Sequence, residues 1–191
     1  MNRKVYLAGP EVFLPDPMSV ARRKKTICAA RGFIGVFPLD LEVDRGALEA
    51  PQIGWKISRS NEALMMKCDL VIANITPFRG PSADVGTAFE MGFMRALGRP
   101  VLAYTNCAEP FFSRTLALVG DGRGPEIDST TRDRWGMSIE NYGFVDNLML
   151  EGAVLSSVAT IPRQAVEDTD LYTDLRSFAA CVEQAQRLFA D

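Results

Sequence analysis

The chain has 191 residues, a net charge of −3 and no histidine. The missing histidine excludes Ser-His-Asp triads, Cys-His pairs and histidine zinc sites, so catalysis would have to use carboxylates, tyrosine, lysine or cysteine. Without a basic excess we expect no nucleic-acid partner, and without a long apolar run we expect no membrane span.

Four cysteines lie far apart with no paired spacing, which favours free thiols in a reducing compartment. The N-terminus leads into a strand without an apolar signal region. We therefore expect a cytoplasmic protein, and the length suits one domain over residues 1–191. The basic run "RRKK" at 22–25 is interpreted as a solvated helix face rather than a phosphate site.

Strands and helices alternate through the first hundred residues. Strands are predicted at 5–8, 33–40, 69–75 and 101–105, and helices at 18–31, 53–67 and 84–97. Apart from Asn74, the strand at 69–75 is continuously apolar, as in a central parallel strand. The alternation predicts a doubly wound, flavodoxin-like α/β domain, with a parallel sheet flanked by helices.

The pattern loosens after the fourth strand. We expect a polar loop insertion at about 106–143, whose part at 121–136 is rich in glycine and charge. A long insertion of this kind is typical of a lid, a binding loop or a mobile segment. Regular structure is expected again at 147–154, and a closing amphipathic helix at 170–189.

Residues 80–92, "GPSADVGTAFEMG", stand where a strand gives way to a helix, which is the edge where open α/β sheets bind ligands. Ser82 or Asp84 can cap that helix. Asp84 and Glu90 meet in one pocket only if Asp84 stays at the cap. From spacing alone, a plain cap and a surface salt bridge explain these carboxylates as well as chemistry does.

Two glycines frame the glutamate of this segment. Gly86 is expected to leave space beside the first turn, and Gly92 to let the helix lie against a neighbouring backbone, at about 1 kcal/mol each in helix propensity. Neither GxxxxGK[ST] nor GxGxxG occurs in the chain, so nucleoside-triphosphate and dinucleotide binding are poorly supported.

The segment "ITPFRGPSADVGTAFEMGFMRALGRPVLAY", taken with "VYLAGPEVF" and "NYGFVDNLML", resembles the nucleoside 2-deoxyribosyltransferase family over residues 4–155. The resemblance implies ping-pong transfer of 2-deoxyribose between nucleobases, with Glu90 as the nucleophile that attacks C1′. A carboxylate suits this chemistry because it can trap an oxocarbenium-like sugar. Neither a metal nor an organic cofactor is needed.

The resemblance also suggests partners for Glu90 in binding and catalysis. Tyr6 matches a tyrosine that orients the nucleophile. Without the resemblance, an ordinary tyrosine at the end of a strand is an equally good interpretation. Asp84 matches an aspartate that holds the substrate or handles its proton. The substrate-binding residues expected for the deoxynucleoside and the free base are Gly9, Phe13, Asp40, Glu42, Asn61, Asn147 and Met149.

Asn147 and Met149 match residues that the family supplies to a neighbouring subunit's active site, which implies a homo-oligomer. Otherwise "NLM" is a helix start packed in the core. Asn61 stands where some members carry an acidic residue, and its amide cannot protonate a base. Glu42 stands where some members carry glutamine. Phe13 could cover the base or cap the core.

Two other functions remain open from the sequence. A hydrolase of 2′-deoxynucleoside 5′-monophosphates would need a serine and arginine cluster near the first strand, where "GPEVFLPD" is acidic instead. Arg79 could contact a phosphate or simply order its loop. A non-catalytic nucleoside-binding module would have no need of a carboxylate at position 90.

Overall fold

Four parallel strands form the sheet of the computed structural model, which describes residues 2–41, 44, 46–120 and 130–190. The strands are β1 (Arg3–Ala8), β2 (Phe33–Val36), β3 (Leu70–Asn74) and β4 (Val101–Tyr104), in the order β2-β1-β3-β4. The register pairs Tyr6 with Val36 on one side and Val71 on the other. Every residue of β3 is buried, as a central strand covered on both faces requires.

Helices cover both faces of this sheet. In the described part of the chain they are α1 (Pro17–Ala29), α2 (Ala50–Met65), α3 (Val85–Ala96), α4 (Phe111–Val119), α5 (Leu148–Leu155) and α6 (Arg176–Leu188). The chain moves in opposite directions along the sheet through α1 and α3, so right-handed crossovers put these helices on opposite faces. α6 packs beside α1, and α5 beside α3. The predicted doubly wound α/β fold is confirmed.

The second predicted strand was too long. β2 ends at Val36, and Pro38 opens a 3₁₀ turn over Pro38–Asp40, because proline has no N–H to continue a ladder. The other three predicted strands agree with the structure to within two residues.

The basic run in α1 is only partly solvated. Arg22 and Arg23 are exposed, but Lys24 is completely buried, so the interpretation of a solvated face is wrong for this residue. Lys24 tolerates burial because its ammonium group forms an ion pair with the buried carboxylate of Glu11, and paired charges can be accommodated in a protein interior.

A helix lies inside the predicted loop insertion at 106–143. Arg114 in this helix, α4, donates hydrogen bonds to the carbonyls of Pro81, Glu109 and Val145. It thereby ties the loop before α3 to the segment before α5. Of the polar segment at 121–136, predicted as a lid, a binding loop or a mobile segment, residues 121–129 lie outside the described residues.

The chain after α5 returns to the sheet beside β4. A single parallel bridge joins Thr105 to Arg163, the remnant of a fifth strand. Further on, the Tyr172 hydroxyl donates to the carbonyl of Pro77 at 2.6 Å. The predicted helix at 170–189 begins only at Arg176, because the Asp174 carboxylate accepts the Arg176 N–H at 2.9 Å and holds the chain in a turn before it.

α5 ends in an unusual backbone conformation. Val158 has φ 56° and is 88% exposed, although a β-branched residue is disfavoured in this left-handed region. The Ala159 N–H bonds to the Val154 carbonyl at 3.4 Å, which closes the helix end in the way that a glycine usually does.

The four cysteines are free, as their spacing predicted, and Cys28, Cys68 and Cys181 are buried. None of the helices formed by the described residues has the length and apolar character that crossing a membrane demands.

Candidate active site

Glu90 and Tyr6 form a hydrogen-bonded pair between α3 and β1. The Tyr6 hydroxyl donates to Glu90 Oε1 at 2.6 Å, and Tyr6 itself is completely buried. Burial raises the pKa of Tyr6 far above its usual range, and the negative charge of Glu90 adds to this shift. The phenol therefore keeps its proton and serves as a donor to the carboxylate.

The surroundings of Glu90 disfavour its charge. Burial raises the pKa of its carboxyl group from 4.5 to about 7; the Tyr6 hydrogen bond acts against this, and the negative charges of Asp84 and Glu11 add to it. Among the ion pairs of the described residues, none includes Glu90. A buried carboxylate that titrates near neutrality is a common property of catalytic groups.

Asp84 is the N-cap of α3 and sets where that helix begins. Its Oδ2 accepts the Thr87 N–H at 3.0 Å. A Cβ at Gly86 would lie 2.9 Å from the same oxygen, so glycine leaves room for the capping carboxylate. Ser82, the other predicted cap, donates instead to the buried carboxylate of Asp146.

Within this chain, the prediction for Gly92 is wrong. Apart from its own turn of α3, no described atom lies within 4 Å of a Cβ built there, so no other segment of the chain approaches α3 at this position. Gly92 is exposed, and its lack of a side chain leaves a shallow gap on the outer face of the helix.

A cavity of about 210 Å³ lies between α2 and α3, beside Glu90. α2 contributes the polar residues Ser58, Asn61 and Glu62 to its wall, and α3 contributes Phe89 and Glu90. The structure therefore brings the predicted base-binding residue Asn61 to the same cavity as Glu90. The volume is below the roughly 300–1,000 Å³ of sites for drug-sized ligands.

Sequence reasoning missed Glu62 as a residue of this cavity. The spacing in the sequence could have identified it. Ser58 lies three positions before Asn61 and four before Glu62, so the three side chains share one face of the helix. The missing observation was that this face of α2 turns toward α3 rather than toward solvent.

Gly9 permits a close approach at the end of β1. It has φ 154°, and a Cβ there would overlap the Glu11 carboxylate and come within 2.9 Å of the Asn74 Cβ. Glu11 Oε1 in turn accepts hydrogen bonds from Lys24, from Asn74 at 2.9 Å and from Tyr104 at 2.9 Å. This network anchors the loop that follows β1.

Phe13 does not cap the core. Its side chain is 56% exposed and stacks on Phe78 with the ring centroids 5.3 Å apart. The Arg79 guanidinium lies 5.2 Å from the Phe13 ring and 4.6 Å from the Phe78 ring. Arg79 therefore orders the loop after β3, and Phe13 presents an open ring at the carboxyl edge of the sheet.

Asp40 is engaged within its own turn. Its Oδ2 accepts the Phe37 N–H at 2.9 Å, and its Oδ1 accepts from Lys25. Glu42, the other predicted residue after β2, lies outside the described residues.

Asn147 and Met149 stand at the start of α5. The Asn147 Oδ1 accepts the Met149 N–H at 3.0 Å, and its Nδ2 donates to Glu140 at 2.7 Å. Met149 is 72% exposed, so it is not packed in the core. Neither residue lines the cavity between α2 and α3, and no hydrogen bond among the described residues joins either of them to Glu90.

Comparison with known proteins places these features in a family. The model of the family described as nucleoside 2-deoxyribosyltransferase matches residues 5–149. The chain belongs to the nucleoside 2-deoxyribosyltransferase family. The resemblance in the sequence is thereby confirmed, and it implies an enzyme of this general type that acts on small-molecule nucleosides.

The relatives found include one sequence and two solved structures. An uncharacterized protein of Schizosaccharomyces pombe is 32% identical over 164 residues, which cover 80% of this chain and 77% of that protein. A 2-desoxiribosyltransferase from Leishmania mexicana is 27% identical with a TM-score of 0.62, covering 95% of this chain and 97% of that one. A conserved protein from Enterococcus faecalis V583, 17% identical with a TM-score of 0.52 over 97% of this chain and 99% of that one, shares the fold.

Proposed function

We propose that this family member transfers a 2-deoxyribosyl group between nucleobases through a covalent intermediate on Glu90. The observation that carries the proposal is the Tyr6–Glu90 pair, with the Tyr6 hydroxyl 2.6 Å from Glu90 Oε1. This bond occupies one carboxylate oxygen and fixes the plane of the group. The other oxygen, Oε2, is the nucleophile.

In the first half-reaction, Glu90 Oε2 attacks C1′ of a 2′-deoxynucleoside. The C1′–N bond breaks, and its electron pair leaves with the base, which takes up a proton. The product is a deoxyribosyl ester of Glu90. In the second half-reaction a ring nitrogen of another base attacks C1′, the ester bond returns its electrons to the carboxylate, and the incoming base loses a proton.

The burial of Glu90 favours this chemistry. Because no cation of the described residues pairs with Glu90, the ionised carboxylate is poorly compensated before reaction. Positive charge that develops on the sugar in the transition state compensates it. The carboxylate is therefore stabilised more in the transition state than in the free enzyme, which is the condition for catalysis.

Asp84, Gly9 and Phe13 surround this reaction in the proposal. The Asp84 carboxylate stands at the start of α3, where it caps the helix and can hold the substrate or its proton. Gly9 allows the sugar to approach the end of β1, and the exposed Phe13 ring lies against the bound nucleoside. Asp40 keeps the loop after β2 in place beside the base.

We also propose that the protein is a homo-oligomer in which Asn147 and Met149 complete a neighbouring subunit's site. The support is a group of exposed apolar side chains on α3 and on α5, which packs against it. They include Val85 at 85%, Phe89 at 58% and Met149 at 72%. Exposed apolar side chains that form a patch are typical of an interaction surface.

The test is a chromatographic assay of 2′-deoxycytidine with and without adenine, using wild type, Glu90→Gln and Glu183→Gln. Glu183 is the matched control, because it is an exposed glutamate on α6 that pairs with Arg31. We expect 2′-deoxyadenosine from wild type and Glu183→Gln, and a loss of at least about a thousandfold in Glu90→Gln.

Two results would contradict the proposal. Base release at the same rate with and without adenine, giving free deoxyribose, would indicate a hydrolase. Turnover retained in Glu90→Gln would exclude Glu90 as the nucleophile. An ester of deoxyribose on Glu90, detected by mass spectrometry of the acid-quenched enzyme, would support the covalent step directly.

A further inference from the structure

We propose that Glu62 selects the nucleobase, and that its carboxylate favours bases with an exocyclic amino group, such as adenine and cytosine, over their oxo counterparts hypoxanthine and uracil. This inference rests on the proposed transferase function. It concerns the base, whereas the proposal for Glu90 concerns the sugar.

The position of Glu62 follows from the geometry of the reaction. The base is bonded to the carbon that Glu90 attacks, so it occupies space directly beside Glu90. The cavity lined by Glu90 is the gap of about 210 Å³ between α2 and α3, whose opposite wall carries Ser58, Asn61 and Glu62. A base lying in this gap presents its outer edge to those three side chains.

Glu62 is held in place from outside the cavity. Arg59, one turn earlier in α2, donates to Glu62 Oε2 at 2.7 Å. The Glu62 side chain is 23% exposed and that of Arg59 is 63% exposed, so the carboxylate is the more enclosed partner of the pair. No hydrogen bond from a described residue reaches Glu62 Oε1, which leaves this oxygen to accept one from a ligand.

The three polar side chains differ in what they can distinguish. The hydroxyl of Ser58 and the amide of Asn61 can each donate or accept, so they adapt to either kind of base. An ionised carboxylate only accepts. An amino group offers it an N–H, whereas a carbonyl oxygen at the same place offers lone pairs and leaves both groups without a partner.

The decisive experiment is a competition between two acceptors in one reaction. The donor is 2′-deoxycytidine, and equimolar adenine and hypoxanthine compete for the same deoxyribosyl-enzyme. The initial ratio of 2′-deoxyadenosine to 2′-deoxyinosine equals the ratio of the two kcat/KM values. It does not depend on how much of a variant is folded, so a merely structural effect of a substitution leaves the ratio unchanged.

We expect wild type and the control Glu183→Gln to favour adenine by roughly tenfold or more. Glu62→Gln removes the charge and adds a donor, so its ratio falls at least about tenfold toward hypoxanthine. An unchanged ratio in Glu62→Gln, or a wild type that favours hypoxanthine, overturns the inference while leaving the transferase intact. Absence of both products from wild type overturns the transferase and this inference with it.

A second measurement does not need turnover. Calorimetric titration of Glu90→Gln with adenine and with hypoxanthine gives the preference in binding, and the double variant Glu62→Gln/Glu90→Gln gives its loss. Adenine preference that disappears in the double variant supports the role of Glu62. The same preference in both proteins, or no adenine binding to Glu90→Gln, contradicts it.

Discussion

Glu11 and Glu90 both carry carboxylates near the carboxyl edge of the sheet, Glu11 completely buried and Glu90 half-buried, but their partners differ. Glu11 accepts hydrogen bonds from Lys24, Asn74 and Tyr104. Glu90 is bonded only by the Tyr6 hydroxyl among the described residues. Opposite charge and several donors offset the cost of burying the first anion. The second anion has no such compensation among the described residues, which the proposed mechanism would use to keep it reactive.

The two environments suggest a structural role for Glu11 and fit the catalytic role proposed for Glu90. Glu11 ties the loop after β1 to α1 through Lys24, and both of these side chains are completely buried. Glu90 stands beside an open cavity. Breaking either arrangement should therefore damage a different property, stability in one case and turnover in the other.

The largest effect is expected from Lys24→Met. It leaves the Glu11 carboxylate buried and without its cation, which should lower the free energy of unfolding by about 3–5 kcal/mol. The double variant Lys24→Met/Glu11→Gln removes the charge as well and should recover part of this loss. Urea denaturation at pH 7.5 measures both. Equal stability of Lys24→Met and wild type would mean that the pair contributes nothing.

The second prediction concerns the pH dependence of stability. The pKa of Glu90 rises from 4.5 to about 7 on folding, so the fold favours its protonated form. Its contribution to stability is therefore complete below pH 4.5 and is lost as the pH rises through 7. The loss amounts to about 3 kcal/mol.

Glu90→Gln tests that prediction, because the amide does not titrate. Relative to wild type, the variant should gain about 3 kcal/mol between pH 4.5 and pH 8. Urea unfolding at both pH values gives the difference, and Glu183→Gln serves as the control. A difference between the two proteins that does not change with pH would show that burial does not disfavour the charge of Glu90.

Tyr6→Phe removes the hydrogen bond that favours the ionised form of Glu90. The pKa of Glu90 should rise further, so the acid limb of the kcat/KM profile should move to higher pH. Because a hydrogen bond to a charged group is lost, kcat should fall about 10- to 100-fold. A fall in rate without any shift of the acid limb would restrict Tyr6 to a packing role.

The smallest effect is expected from Asp84→Asn. Asparagine caps a helix about as well as aspartate, so α3 should keep its start. The negative charge that raises the pKa of Glu90 disappears, and the acid limb should move slightly to lower pH. If Asp84 also holds the substrate, KM rises by a few fold. An unchanged profile and KM would leave Asp84 as a helix cap alone.

The sequence predicted those parts of the fold that local pattern determines. The continuously apolar strand β3 and the capped start of α3 were placed to within one residue. Tyr6 and Glu90 came from the resemblance to a family, since spacing alone did not distinguish Glu90 from a surface glutamate. Their direct hydrogen bond joins residues 84 positions apart. The sequence pattern within one helix or strand cannot predict a contact between such distant residues.

The missed features depend on contacts between distant segments. Lys24 looked like part of a solvated face because its buried partner, Glu11, lies on another element. α4 buries no residue completely, and Arg114 holds it by bonds to carbonyls 33 and 31 positions away in the chain, on Pro81 and Val145. Glu62 became a candidate only when α2 and α3 were seen to enclose a cavity.

The backbone at the end of α5 has a consequence for engineering this protein. Val158 is held at φ 56° with 88% of its surface exposed. Its backbone strain is therefore not offset by packing of its side chain. Replacement by glycine or asparagine should relieve about 1 kcal/mol of strain, which raises the melting temperature of a chain this size by roughly 2–4 °C. Substitution at this position should increase thermostability without changing any residue of the candidate active site.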